Sequence, residues 1–128
     1  MLEHTTQNQV PKLTERHSAT RIMNIHNLYD GIPNELPEEL FTEILKTETF
    51  RVERIVSQGH TSSEDFWYDQ ELNEWVTVLE GAARIRFEDG MDIVELGPGD
   101  YLTVPAHKRH RVEWTAPDQR TVWLAIHY

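Results

Sequence analysis

From Thr49 to the C-terminus the chain is a succession of short apolar–polar alternations separated by turn residues. "TFRVERIVS" sets Phe50, Val52, Arg54 and Val56 against Arg51, Glu53 and Ile55, and "AARIRFEDG" sets Ala83, Ile85 and Phe87 against Arg84 and Arg86. A two-residue period is that of a strand with one face in a core. "EWVTVLEG", "MDIVEL", "YLTVP", "HRVEW" and "TVWLAIHY" extend the series, with a tight hairpin marked by Asp89-Gly90. Many short strands with closely spaced turns predict an antiparallel sandwich or small barrel over about 49–128. In "LGPGDYLTVPAHKRHRVEW", Gly97, Pro98 and Gly99 stand before one strand and Pro105 after it. The next strand, opening at His110, therefore has a fixed direction.

Upstream the period changes. In "ELPEELFTEILK", Leu40, Phe41, Ile44 and Leu45 fall on one face of a helix; Pro37 suits its first turn, and Glu38 and Glu39 suit the positive end of its dipole. A helix is predicted over about 36–46. Residues 1–22 are polar without a sustained period and read as an extension or arm ahead of one domain over 23–128. His4 and His17 within it carry no partner spacing.

Composition narrows the function. The absence of cysteine excludes disulfides and thiolate metal sites. A formal net charge of −10, from 22 acidic and 12 basic residues, repels phosphate backbones and argues against nucleic acid. Lys108, Arg109 and Arg111 read as a solvated turn and strand edge within that surface. No run is apolar enough to cross a membrane and no signal sequence opens the chain, so a cytoplasmic location is expected.

Parity picks out candidate chemistry. His110, Val112 and Trp114 share a mostly apolar face, and a histidine at the mouth of such a face needs a hydrogen bond, a carboxylate or a metal. In "EWVTVLEG" both faces are largely apolar; taking the Val76/Val78 face as interior puts Glu74 at the entrance, like His110. "FWYDQ" offers Tyr68 and Gln70 on one face, Trp67 and Asp69 on the other. His60 reads as a loop residue and His107 as a surface turn residue, while His127 shares a face with Trp123 and Ala125 that is inner or outer by this count. Only one of Arg51 and Arg54 can point inward, where it would anchor a substrate carboxylate. Phe66, Trp67, Trp75 and Trp123 read as core or interface; Tyr68 and Trp114 would line a pocket.

The stretch from about Gly59 to Trp114 resembles the cupin superfamily, of the small single-domain conserved-barrel (cupin 2) type. The first motif of that family has two histidines one residue apart, a glutamate three or four residues later, and a glycine after six more; Glu74 and Gly81 fit its ending. Its second motif is matched by "GDYLTVPAHKRH", from Gly99 through Pro105 to His110, with His107 where the family usually has glycine. Tyr68 and Gln70, or Trp67 and Asp69, stand where the motif histidines would be.

The resemblance implies a mainly β fold, a double-stranded β-helix, here with the one short helix near its N-terminus, and a homodimer. It also implies a divalent metal (zinc, manganese, iron or nickel) on His110 and Glu74, with Gln70 or Asp69 replacing the missing imidazoles. Tyr68, Glu74 and His110 would then act on a small oxygen-rich organic acid or sugar, Tyr68 as proton donor or orienting hydroxyl. The rival expectation is a non-catalytic module that binds a small molecule without metal; in a metal-free pocket His110 and Glu74 would serve as hydrogen-bonding groups or as an acid/base pair.

Overall fold

The computed structural model describes residues 15–17, 23–90 and 92–128. The arm expected over 1–22, His4 included, lies outside the described residues except for 15–17. The described residues form ten strands: β1 (Glu15–His17), β2 (Asn24–His26), β3 (Leu40–Lys46), β4 (Arg51–Ser57), β5 (Glu74–Glu80), β6 (Ala83–Phe87), β7 (Ile93–Leu96), β8 (Tyr101–Val104), β9 (His110–Thr115) and β10 (Thr121–His127). β1 and β2 pair with each other; β3-β4-β10-β5-β8 form a five-stranded sheet and β7-β6-β9 a three-stranded one. Every ladder is antiparallel. Ile55, Val76, Val78 and Trp123 from the larger sheet meet Ile85 and Val112 from the smaller in one core. This is the β-barrel the alternations predict.

The predicted helix over 36–46 is corrected: Leu40–Lys46 is strand β3. It pairs with β4 from Leu40↔Val56 to Lys46↔Arg51, with a register shift between Glu43 and Leu45. Phe41 enters the main core, while Leu40 packs with Val56 and Val122 in a second cluster on the other face of the sheet. Both faces of the strand are thus apolar at its start, and the bulge around Ile44 resets the alternation four residues on. That combination imitates a helical spacing.

The second cluster exists because residues 28–36 cover part of the outer face of the larger sheet, where Ile32 and Leu36 pack against it. Arg54 pins that cover. It is 0% exposed, and its guanidinium donates to the carbonyls of Leu28 (2.8 Å) and Asp30 (2.6 Å) and to Thr42 Oγ1 (2.9 Å). Such charge-assisted bonds are the strong ones in a protein. Arg54→Met, which keeps most of the volume, is expected to cost about 3 kcal/mol. Urea unfolding with limited proteolysis between Tyr29 and Leu36 checks this; a loss below about 1 kcal/mol would show that Ile32 and Leu36 hold the segment without it.

A second bulge changes what faces inward on β9. Ile85 pairs with Val112 but Arg84 with Trp114, so Glu113 is the extra residue. His110, Val112 and Thr115 are buried, whereas Trp114 is turned outward under the Arg84 guanidinium, 4.5 Å from its ring centre. The expectation that Trp114 lines the pocket is therefore wrong.

Candidate functional site

β10 lies between β4 and β5. Its pairing sets His127 opposite Glu74 on one side and Arg51 on the other, with Glu53 opposite Ala125. Glu53 and Glu74 share the inner face with Ile55 and Val76 because a strand alternates every second residue. β9 supplies His110 from the facing sheet. Glu53, Glu74, His110 and His127 are each no more than 1% exposed.

These four form a chain. His127 Nε2 is 3.0 Å from Glu53 Oε1 and 3.9 Å from Glu74 Oε2, and His110 Nε2 is 3.7 Å from Glu74 Oε1. The other nitrogen of His110, Nδ1, is 2.8 Å from the Lys108 carbonyl. A carbonyl only accepts, so Nδ1 carries the proton and the neutral ring presents a lone pair at Nε2. Nε2 is buried and makes no hydrogen bond. Burial pushes the His110 pKa down to about 4, with the Lys108 carbonyl pulling weakly the other way. His127 is lowered too, chiefly by burial; its bond to Glu53 opposes the shift and the charge of Arg51 adds to it. Burial thus favours the neutral form of both rings.

Tyr68 is buried against this group. Its N–H donates to the His110 carbonyl (2.7 Å), the His110 N–H donates back (3.2 Å), and the two rings lie 5.6 Å apart. Arg51, Asp69, Gln70, Glu71, Leu72 and His127 line a cleft of about 400 Å³. His127 is thus the member of the buried chain that reaches the cleft wall.

The remaining candidates separate cleanly. The Asp69 carboxylate is 2.8 Å from His107 Nδ1 at the surface. His107 has φ 63°, the left-handed conformation for which the family usually has glycine at that place, and its N–H donates to the Gln70 carbonyl (2.8 Å). His60 sits at the Ser57 end of β4, its Nδ1 accepting from the Gln58 N–H (2.9 Å). Arg51 stands at the cleft and Arg54 on the outer face. Parity left His127 open and passed over Glu53. The available signal was that Glu53 and His127 share faces with Ile55 and Trp123, so a carboxylate and an imidazole would be buried together.

The family model for the Cupin domain matches residues 53–127, a span bounded by the two residues the motifs do not contain, Glu53 and His127. The chain is a cupin. A proposed mannose-6-phosphate isomerase from Ralstonia eutropha JMP134 is 44% identical to it, with a TM-score of 0.76, and the match covers 79% of this chain and 94% of that protein. A cupin superfamily protein from Desulfitobacterium hafniense DCB-2 is 23% identical over 75% of this chain and 82% of its own, at a TM-score of 0.62. The polyketide cyclase RemF from Streptomyces resistomycificus is 20% identical over 71% of this chain and 65% of its own, at 0.61. These last two share the fold. No curated protein sequence matches the chain.

Cupins of the usual type hold a metal. A resident divalent ion needs three or four donors converging on one point. Among the described residues no three His, Asp or Glu side chains are so arranged. Asp69 is drawn off to His107 and His127 Nε2 is engaged by Glu53, which leaves His110 and Glu74 as a pair, with Gln70 in the cleft wall. That set does not fit a tightly held ion, and no step below is routed through one.

Proposed function

We propose that this cupin is an enzyme that transfers protons on a small, oxygen-rich anion, a sugar phosphate or hydroxy acid, using its own side chains. The observation that carries this reading is the lone pair of His110 Nε2, fixed by the Nδ1–H bond to Lys108, with a Glu74 oxygen 3.7 Å away. A proton accepted at Nε2 makes an imidazolium beside the Glu74 carboxylate. In a water-poor interior their attraction opposes the cost of burying the charge. Glu74 can then accept or return that proton, and the Tyr68 phenol beside the His110 ring is a further donor. Taking a proton from a hydroxyl-bearing carbon next to a carbonyl and returning it to the carbonyl carbon, while the hydroxyl proton passes to the former carbonyl oxygen, is an isomerisation. That is the activity in the name of the 44% identical relative.

The test is proton–deuterium exchange by NMR, in D2O with EDTA present, on mannose 6-phosphate, fructose 6-phosphate, glycerate and L-malate. Exchange into one of these is expected, reduced about 100-fold or more in both His110→Gln and Glu74→Gln. Metal analysis of untagged protein purified without chelator is expected to find no stoichiometric metal. Stoichiometric metal that disappears in both variants would overturn the metal-free reading. Binding without turnover across the panel would make the protein a binding module.

A further inference from the structure

We infer that this cupin pairs with a second copy of itself through the half of its larger sheet that residues 28–36 leave uncovered. The pairing registers set Leu45, Val52, Ile126, Trp75 and Thr103 side by side across β3, β4, β10, β5 and β8. Val52 and Ile126 stand four residues from Val56 and Val122 of the covered cluster, so alternation puts this row on the same outer face. The next row toward the cover ends in Leu124, Thr77 and Tyr101, and the Tyr101 ring lies 5.4 Å from that of Trp75. Burial falls off in step along the strands. Val122 is buried, Leu124 and Ile126 are half-buried and Tyr128 is exposed. On the two edge strands, Leu45 is 50% and Tyr101 65% exposed. The described residues thus cover one half of an apolar face and not the other.

Charge, size and shape select a second copy as the occupant. Arg54 is the charged side chain in these rows, and it is engaged by the Leu28 and Asp30 carbonyls and by Thr42. On β3, Glu43 and Lys46 stand opposite Glu53 and Arg51 and so share the inner side with them. A chain of formal net charge −10 repels its own copies, and a face without carboxylates is where two of them can meet. Five strands about 4.8 Å apart, uncovered over about four residues at 3.4 Å each, span about 19 by 14 Å; that is the footprint of the apolar core of a standard interface. Two twisted sheets of the same hand also pack well face to face, about 10 Å apart. The contact is isologous, the row meeting itself about a two-fold axis. β10 is the central strand of the five and Ile126 the middle residue of the row, so Ile126 of one copy lies near Ile126 of the other.

Sedimentation equilibrium of the full chain is expected to give twice 15.1 kDa, with a Kd of about 10 µM or tighter. Added NaCl is expected to tighten the dimer, because it screens the repulsion of two acidic chains. The double variant Leu45→Glu/Tyr101→Glu is expected to weaken dimerisation about 100-fold or more. Both side chains are exposed on edge strands, so its urea transition is expected to stay cooperative. The chain has no cysteine, which allows a second measurement that needs no charge in the sheet. Ile126→Cys is expected to be crosslinked by a bismaleimide of about 10 Å span, the separation of facing sheets. Ile93→Cys, on the edge strand β7 of the smaller sheet and 48% exposed, is expected to stay uncrosslinked. A wild type that is monomeric at about 100 µM would leave the face to another occupant and overturn the inference. A dimer undiminished in the double variant, weakened by salt, or crosslinked at Ile93→Cys instead of Ile126→Cys would overturn it as well.

Discussion

Gly81→Ala is expected to lower the unfolding free energy by about 3–5 kcal/mol. Gly81 closes the turn after β5 with φ +92°, a conformation side chains resist. A Cβ there would also lie 2.6 Å from the Arg120 carbonyl oxygen and from Thr121 Cα, and closer still to Thr121 Oγ1. Two of those three atoms are backbone at the start of β10, and Thr121 is locked in turn: its hydroxyl accepts from the Ala82 N–H and donates to the Ala82 carbonyl, both at 3.2 Å. Nothing there can swing aside. The β5–β10 ladder would have to part at this end, and the same ladder aligns Glu74 with His127 at the other. Denaturant unfolding measures the loss; a cost below about 1 kcal/mol would show that the turn relaxes away from β10.

The same glycine shows what was legible in the sequence. Gly81, Glu74 and His110 stand out because fixed spacings mark them, and the choice of the Val76/Val78 face placed Glu74 inside because those valines are core. What alternation missed, it missed for two reasons. One is the bulge: one extra residue at Glu113 turns Trp114 outward, and one near Ile44 makes a strand look helical. The other is cover on the outer face. Residues 28–36 cover Val56 and Val122 on the side away from the main core, so both faces of β10 read as apolar and the inward side of His127 was undetermined. Glu53 was passed over because it sits in a strand otherwise rich in charge, where "RVERIVS" reads as an ordinary half-exposed alternation. Pairing register, set by tertiary packing, is what joins Arg51, Glu53, Glu74 and His127.

Acidification is expected to remove about 3 kcal/mol of stability through His110 alone between pH 7 and pH 4. The folded ring titrates near 4 and the unfolded one at the ordinary 6.5, so across that window the unfolded chain binds the extra proton. Stability from this group is therefore complete above pH 6.5 and lost as pH falls toward 4. His127, lowered by burial, acts in the same direction. Glu39 acts against both: burial raises its pKa despite the hydrogen bond from Ser57, so folding favours its protonated form and gains as the pH falls. Urea unfolding of wild type and His110→Gln at a series of pH values isolates the His110 contribution, because Gln keeps a polar side chain without the titration. The wild-type curve should fall below the variant's trend progressively under pH 6.5. Parallel curves would mean that folding leaves the ring's affinity for a proton unchanged; a wild-type curve that rises above the variant's as the pH falls would mean that the folded ring is held protonated beside Glu74, and the lone pair on which the proposed chemistry depends would then be lost near neutrality.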